Sequence, residues 1–404
     1  MNIYYPLVFL GYLLTLFVPA MRPGIWAALL ILLLGAFLVI QKKVNIHSAM
    51  DVLIVVYFLY RAASVVWLIK SGNPVGVYFD EFAVSVLPMF FYFVAKACDD
   101  ADKFYRFFLI SLLALGFISL VLYLWAPQFY CDYLYNWSYI SKADAQTTRV
   151  RMESVTGCTV FGAIMVSGMA VSIHFLCASS EEKDCKKRRL FGLVCFVLSL
   201  MFTFLSNMRS AMVVAILLIL YVNYLVFARF KEIPRKYIVI EIVSVAVIFL
   251  ALCVIKFDLV LKIWWRLESL PGAVSQRSEQ WVAAVNNMYS SWFGNGLGMN
   301  GHKAIGIEGA HIIADGGLIK LFCEEGVIGF SLFAYIMFLA LKKGIQNIKE
   351  YYAELILIVM LILQSIGSNI IAFLLITPIF WFCVGRIFEK SSQEEIVFAK
   401  EVHK

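Results

Sequence analysis

Two residues in the C-terminal half of the chain, His311 and Asp315, are of types that could activate a hydroxyl group. They are four residues apart, so on a helix they would share one face, where a polar segment runs into an apolar one. A neighbouring carboxylate orients an imidazole and stabilises its protonated form, which suits a general base. The alternative role for such a pair is an interfacial hydrogen bond. Since no second histidine cluster accompanies the pair, we expect no metal ion and no cofactor.

A set of arginines could hold an anion for the same reaction. A guanidinium group keeps its charge and offers planar, bidentate donors to phosphate oxygens. Arg209 lies in a short turn between two apolar runs, where a bound anion or a buried acidic partner explains an isolated arginine better than solvation does. The other candidates are Arg149, Arg151, Arg266 and Arg277. For Arg149 and Arg151, anchoring at a membrane surface is an equally good explanation.

The composition predicts that membrane-spanning helices position these residues. Of the 404 residues, 62% are hydrophobic and only 15% are charged, and the mean hydropathy is +0.85, which excludes an ordinary soluble protein. Apolar runs long enough to cross a hydrocarbon core of about 30 Å as helices recur along the chain, without the alternation of a membrane β-barrel. We predict an all-α fold, a polytopic transmembrane helical bundle of about 12 spans in a single integral membrane domain, residues 1–404. The predicted spans are residues 4–21, 24–40, 50–70, 79–97, 104–126, 155–177, 190–206, 210–228, 237–256, 316–341, 353–366 and 370–387.

The distribution of the +7 net charge predicts the topology. The positive-inside rule assigns loops rich in lysine and arginine to the cytoplasm. Alternate loops are basic, at residues 42–43, 96–103, 183–189, 229–236 and 342–349. Both termini are then cytoplasmic, including the tail at 388–404.

The loops on the opposite side are mostly short, and two are long. One covers roughly residues 127–154, and the other is a large loop on the outer side at 257–315, which is too long for a simple connector. Apolar residues at helical spacing predict helices within the large loop at 259–267 and 275–289. We therefore expect the chemistry on this side of the membrane.

Four segments carry a resemblance to a known family. They are Arg151–Gly157 at the start of a span, Phe204–Ala211 between two spans, Trp292–Gly298 in the large loop and His311–Gly329 at its end. In their order and spacing the chain resembles the O-antigen polymerase and ligase superfamily (Wzy and WaaL), whose bundles of spans carry a large outer loop. The last segment is similar to the family pattern of a histidine, a polar residue, an apolar stretch, a glutamate and two spaced glycines.

Within this superfamily the resemblance favours a polymerase. Arg151, ten further residues and then Gly162 are similar to a spacing found in some polymerases. Ligases usually carry an amide side chain directly after the histidine or close to it, whereas His311 is followed by Ile312 and Ile313.

The resemblance implies a glycosyltransferase of the bacterial inner membrane with its active site facing the periplasm. It would transfer a glycan from undecaprenyl pyrophosphate to the terminal sugar hydroxyl of another lipid-linked repeat unit. His311 and Asp315 would be catalytic, and the arginines named above would bind pyrophosphate without a metal. The expected partners are the undecaprenyl-pyrophosphate-linked oligosaccharide, membrane lipid and a chain-length regulator of the Wzz type; nucleic acid is not expected.

Two alternatives remain open. An O-antigen ligase would use the same donor and pass the glycan to lipid A-core, and its gene would lie among core-synthesis genes. A polysaccharide flippase or transporter would need ionisable residues near the centres of spans and related halves. No similarity between halves is visible, and the ionisable candidates are Arg61, His174, Lys320, Glu324 and Glu325.

Overall fold

The computed structural model of the chain is helical and contains no strand within the residues that it describes. These are residues 3–18, 21, 23–41, 46, 48–98, 100–137, 151–179, 184–230, 236–255, 257, 261, 264–265, 268 and 270–402. In this part of the chain, eight helical stretches are long and apolar enough to cross a membrane. They are Ala49–Lys70, Val75–Lys96, Ala101–Trp125, Cys158–Leu176, Cys185–Ser206, Arg209–Ala228, Gly317–Gln346 and Ile348–Gly367. The chain is therefore a helical membrane protein, as its composition predicts.

The helices are numbered here in chain order. They are α1 (Tyr4–Leu14), α2 (Pro23–Gln41), α3 (Ala49–Ala63), α4 (Val65–Lys70), α5 (Val75–Glu81), α6 (Phe91–Lys96), α7 (Ala101–Trp125), α8 (Gln128–Trp137), α9 (Cys158–Leu176), α10 (Cys185–Ser206), α11 (Arg209–Tyr224), α12 (Lys236–Ile255), α13 (Leu270–Asn286), α14 (Gly317–Gln346), α15 (Ile348–Gly367) and α16 (Thr377–Val402). A π-helical turn at Phe82–Val86 and a 3₁₀ turn at Leu87–Phe90 join α5 to α6.

The predicted spans and the observed helices agree in position along the chain. The remaining four predicted spans, at 4–21, 24–40, 237–256 and 370–387, overlap α1, α2, α12 and α16, although α16 begins later than predicted and continues to Val402. The 11 residues of α1 fall short of the roughly 20 that cross a membrane, so the number of twelve spans stays a prediction. In the large loop, α13 confirms the helix predicted at 275–289 and begins five residues earlier, at Leu270. Most of the helix predicted at 259–267 lies outside the described residues.

Contacts divide the chain into two compact units, which are described separately. The first comprises residues 1–30 and 100–271. In it α9 and α10 approach closely, because a Cβ atom on Gly192 would lie only 2.5 Å from the backbone nitrogen of Leu176. On α8, Tyr133 donates to the carbonyl of Val155 over 2.9 Å and holds the segment that enters α9. Burial raises the pKa of the Tyr133 phenol, so the hydroxyl remains a donor at neutral pH.

The second unit comprises residues 31–99 and 272–404. In it α14 packs against α3 and α15, and α16 packs against α6. Aromatic side chains fill the space between these helices. Trp381 of α16 is 1% exposed, and its ring centroid lies 6.4 Å from that of Tyr57 on α3.

A break in α14 is the main departure from regular helix in the second unit. At Gly326 the backbone has φ 64° and ψ −170°, a conformation that only glycine adopts readily. The segment Ser290–Gly296 fills the break with its main chain. The amides of Val327 and Ile328 donate to the carbonyls of Ser291 and Trp292 over 2.9 and 3.2 Å.

The same segment satisfies the carbonyl groups on the other side of the break. The amides of Asn295 and Gly296 donate to the carbonyls of Cys323 and Glu324 over 2.9 and 3.0 Å. Irregular backbone at membrane depth is stable only where protein or water pairs its polar groups, and these hydrogen bonds supply that pairing. Two of the glycine-containing motifs of the sequence, at 292–298 and 324–329, therefore pack on each other by backbone contact.

Gly326→Ala is expected to destabilise the second unit. The backbone conformation alone costs a side chain about 1–3 kcal/mol, and the new Cβ would lie 2.4 Å from the carbonyl oxygen of Trp292. Gly76→Ala in α5 is the matched control, because a Cβ there has no atom within 4 Å. Thermal unfolding of both purified variants in detergent measures the difference. Equal midpoints would contradict the docking of the segment into the break.

Candidate functional site

The residues from His311 to Gly316 are not helical, so the predicted helical face shared by His311 and Asp315 is wrong. The helix α14 begins only at Gly317, and Gly316 before it has φ 137°, outside the range of a helix. A Cβ on Gly316 would lie 2.6 Å from the indole nitrogen of Trp281, which packs closely against this turn. The helix begins later than predicted because the backbone at Gly316 is not helical.

Asp315 contacts α13 instead of His311. Its carboxylate accepts a hydrogen bond from Nη2 of Arg277 over 2.6 Å, and its carbonyl accepts one from Nε1 of Trp281 over 2.7 Å. Both side chains of the ion pair are partly exposed, 27% for Arg277 and 34% for Asp315. Arg277 is thereby fixed at the start of α14, where the helix dipole also favours an anion.

His311 is positioned through its main chain. Asn300 is fully buried, and its side chain donates from Nδ2 to the carbonyl of His311 over 2.7 Å. Its backbone carbonyl accepts a hydrogen bond from the amide of Ile313 over 2.9 Å. Asn369 donates to the carbonyl of Ile313 over 2.8 Å. The imidazole of His311 is half-buried and makes no hydrogen bond or ion pair with the rest of the described chain.

The first unit brings two further arginine segments together. The amide of Met152 donates to the carbonyl of Leu205 over 2.9 Å, which joins the Arg151 segment to the turn before Arg209. Nη1 of Arg151 lies 3.3 Å from the sulfur of Cys158, at the start of α9. Arg209 is half-buried at the first position of α11, and the two-residue turn before it confirms the short turn that the sequence predicts.

The candidate residues thus fall into separate groups. Arg151 and Arg209 belong to the first unit, and Arg277, His311 and Asp315 belong to the second. Arg149 and Arg266 lie outside the described residues.

A buried charged cluster in the second unit adds residues that the sequence did not place in a site. Nε of Arg61 lies 2.7 Å from Oε1 of Glu325, and Nζ of Lys320 lies 2.6 Å from Oε1 of Glu81 and 3.2 Å from Oε2 of Glu324. All five side chains are at most 7% exposed. The cluster lies beside the break in α14, because Glu324 and Glu325 directly precede Gly326.

Of these residues, only Glu81 escaped the sequence reasoning altogether. The sequence predicts that the other four are ionisable residues inside spans, and it does not predict their partners. The available signal was the carboxylate pair Asp80 and Glu81 inside a predicted span, where unpaired charge is costly.

The cluster is connected to the His311 segment through Asn300. The backbone amide of Asn300 donates to Oε1 of Glu324 over 3.2 Å, while its side chain holds the carbonyl of His311. Its side-chain oxygen accepts from Nδ2 of Asn295 over 2.9 Å, so it is also fixed to the segment docked in the helix break. Asn300 is a positioning residue that sequence reasoning did not identify.

Comparison with known proteins gives no match: no protein-family model matches the chain, and no curated protein matches it either. Within the described part of the chain, no group of three or more histidine, cysteine, aspartate or glutamate side chains is arranged to hold a metal ion.

Proposed function

We propose that the protein is an O-antigen polymerase, a membrane glycosyltransferase that lengthens lipid-linked oligosaccharides. The main support is a contact at the start of α14, where Asp315 forms hydrogen bonds with Arg277 and Trp281. His311 lies four residues before Asp315 in the sequence. These residues come from two segments separated by more than thirty positions, and together they offer an anion-binding guanidinium and a half-buried imidazole. A pyrophosphate leaving group and a sugar hydroxyl need those two functions.

In the proposed reaction, the acceptor hydroxyl oxygen attacks the anomeric carbon of the donor sugar. His311 takes the proton of that hydroxyl. The bond between the anomeric carbon and the pyrophosphate oxygen breaks, and the electron pair leaves with undecaprenyl pyrophosphate. Arginine side chains stabilise the charge that develops on this leaving group.

Asp315 has a different role in this proposal from the one that the sequence favours. Its carboxylate holds the guanidinium of Arg277 and does not orient the ring of His311. One N–H group of Arg277 is already bonded to Asp315, which holds the planar guanidinium group in one orientation. The side chain therefore loses less conformational freedom when it binds pyrophosphate. For Arg149, Arg151, Arg209 and Arg266, the binding of pyrophosphate stays a prediction from the sequence.

The proposed topology has about twelve spans in the bacterial inner membrane, with both termini cytoplasmic and the active site facing the periplasm. A cysteine placed at Lys303 should react with an impermeant reagent added to intact cells from outside, in a background without other cysteines. Lys187, whose side chain is 83% exposed, provides the control, because a cysteine there should react only after permeabilisation. Labelling of position 303 from the cytoplasmic side alone would overturn the proposed orientation.

Reconstitution tests the activity directly. The purified protein in vesicles should convert synthetic undecaprenyl-pyrophosphate repeat units into a ladder of longer products. A ligase would instead leave the repeat units unchanged until lipid A-core is added, and would then attach the glycan to it. Absence of a ladder together with transfer to lipid A-core would replace the polymerase proposal by the ligase.

Chelation should leave the reconstituted reaction intact. Pyrophosphate is a good leaving group, and fixed guanidinium groups can stabilise its charge without a divalent ion. We therefore expect the same ladder with and without EDTA. A loss of product that a divalent ion restores would show that a metal takes part and would remove the proposed role of the arginines.

A second candidate, a polysaccharide flippase or transporter, is favoured by one observation. Buried charges beside a broken helix are typical of the substrate and ion sites of secondary transporters. This candidate predicts that vesicles move lipid-linked repeat units across the bilayer without lengthening them. A fluorescent repeat unit that a membrane-impermeant quencher can reach only in the outer leaflet measures this movement.

A further inference from the structure

The charged cluster of the second unit contains unequal numbers of opposite charges. Its cations are Arg61 of α3 and Lys320 of α14, and its carboxylates are Glu81 of α5 with Glu324 and Glu325 of α14. If every group were ionised, one negative charge would remain buried without a partner. A buried charge without a partner of opposite charge is strongly disfavoured. A buried carboxylate that lacks such a partner binds a proton and becomes neutral instead.

The distances indicate which carboxylates have to share a single cation. Arg61 and Glu325 form one pair, and Tyr57 also donates to Oε2 of Glu325 over 2.9 Å. Lys320 is left with two carboxylates, Glu81 at 2.6 Å and Glu324 at 3.2 Å. Around this lysine, therefore, one carboxylate lacks a cation.

The charged neighbours outside the cluster leave the count one cation short, because Lys303, whose charge also acts on Glu81, comes together with a carboxylate of its own. Lys303 of the large loop faces Asp80 of α5, with Nζ 3.8 Å from Oδ2 and 3.0 Å from the carbonyl oxygen. This pair is itself balanced. From the loop, the backbone amide of Asn300, which carries no charge, donates to the carboxylate of Glu324.

A second, independent observation points to a missing hydrogen-bond donor in the same place. A cavity of about 30 Å³ is lined by Arg61, Glu81, Lys320, Glu324 and Asn369, among others. Asn369 is 5% exposed, and its Oδ1 accepts no hydrogen bond from any described residue. Ionised carboxylates can only accept hydrogen bonds, whereas a protonated carboxyl group donates one.

The size of the cavity limits what could supply this donor. Roughly 10–15 Å³ of such volume holds one water molecule, so the space takes about two or three waters and no sugar or other organic group. A bare monovalent metal ion would lie in a cavity that Lys320 and Arg61 also line, where like charges repel. A water molecule in the cavity would meet the donor requirement but not the charge requirement, whereas a proton on a carboxylate meets both.

We propose that the second unit contains a buried proton-binding site in which Glu81 and Glu324 share one proton beside Lys320 at neutral pH. This site depends on neither candidate function. It places a dissociable proton next to the break in α14 and next to Asn300, which holds the His311 segment. Loss of that proton would leave a second carboxylate to compete for Lys320 and for the amide of Asn300.

Infrared spectroscopy of the purified protein tests the site without any activity assay. A protonated carboxyl group gives a carbonyl stretching band that an ionised carboxylate does not give. In a detergent without carbonyl groups at neutral pH, the wild type should show this band in the difference spectra against Glu81→Gln and Glu324→Gln. Either substitution removes one carboxylate, so the cations are then balanced and the proton is lost.

Lys320→Met should change the band in the opposite direction. Without the ammonium group, three carboxylates face Arg61 alone, so two protons are expected and the band should grow about twofold. Asp51→Asn is the control, because the buried carboxylate of Asp51 is matched by Lys96, which contacts its oxygens at 2.6 and 2.7 Å. This substitution should leave the band unchanged.

Gel filtration and thermal unfolding show which variants are folded, and either glutamine variant alone suffices for the comparison. A wild-type spectrum that differs from neither glutamine variant in this band would overturn the proposal. So would a band that is absent in sodium buffer and emerges when sodium is replaced by choline, because the cluster would then bind a metal cation. An unchanged band in folded Lys320→Met would contradict the charge counting on which the site rests.

Discussion

His311→Ala is expected to lower the rate of glycan lengthening by about 10²- to 10⁴-fold, the usual contribution of a general base. Cells carrying the variant should accumulate product with a single repeat unit. The amount of protein should hold, because the half-buried imidazole has no hydrogen bond within the described chain and the segment is held through its main chain by Asn300. The initial rate of ladder formation in reconstituted vesicles, divided by the amount of protein, measures the effect.

His302→Ala is the matched control for this substitution. His302 lies in the same loop, at the start of a short 3₁₀ turn, and its side chain is exposed. We expect nearly normal ladders from it. Normal ladders from His311→Ala, or equal losses from both variants, would remove His311 from the proposed chemistry.

The helices could be predicted from the sequence because a membrane helix is a local feature. An apolar run of sufficient length both predicts and produces it. The break in α14 could not be predicted in this way, because Gly326 lies inside a stretch, residues 316–341, that is predicted as one uninterrupted span. Its stability comes from backbone hydrogen bonds to Ser291, Trp292, Asn295 and Gly296, roughly thirty positions earlier in the chain. Hydrophobic periodicity does not predict a backbone contact between segments that lie so far apart in the sequence.

The candidate site was predictable in its residue types but not in its pairing. The sequence selects Arg277, His311 and Asp315 as candidates, and the structure brings two of them, Arg277 and Asp315, into contact. It assigns the carboxylate to the wrong partner, because the spacing of four residues implies a contact only if the helix already includes His311. Gly316 prevents this, and the side chain of Asp315 pairs with α13.

Arg277→Lys is expected to reduce turnover by about 10²-fold while the protein still folds. Lysine keeps the charge but loses the planar fork that binds both Asp315 and phosphate oxygens, and removal of one preorganised donor typically costs about 10²- to 10³-fold. Because the ion pair is partly exposed, its contribution to folding stability is small. Initial rates at saturating lipid-linked substrate, with protein amount determined in parallel, measure the loss.

Arg386→Lys is the matched control for the loss of a guanidinium group. Arg386 lies in the same unit, its side chain is 21% exposed, and it contacts Glu354 and Glu389. It lies on α16, in the part of the chain that the topology places on the cytoplasmic side, so its substitution by lysine should leave turnover nearly unchanged. Full activity of Arg277→Lys, or an equal loss in Arg386→Lys, would separate Arg277 from the site.

The partner of Asp315 decides how the effects of these substitutions combine. If Asp315 acts by holding Arg277, Asp315→Asn should give a smaller loss than Arg277→Lys, and the double variant should lose little more than Arg277→Lys alone. The two residues then belong to one interaction, and a double-mutant cycle detects this as a coupling term. Against His311→Ala, the effect of Asp315→Asn should instead multiply. A coupling found with His311 and not with Arg277 would restore the role of Asp315 as the residue that orients the imidazole, and would mean that the ion pair at the start of α14 is not the catalytically relevant contact.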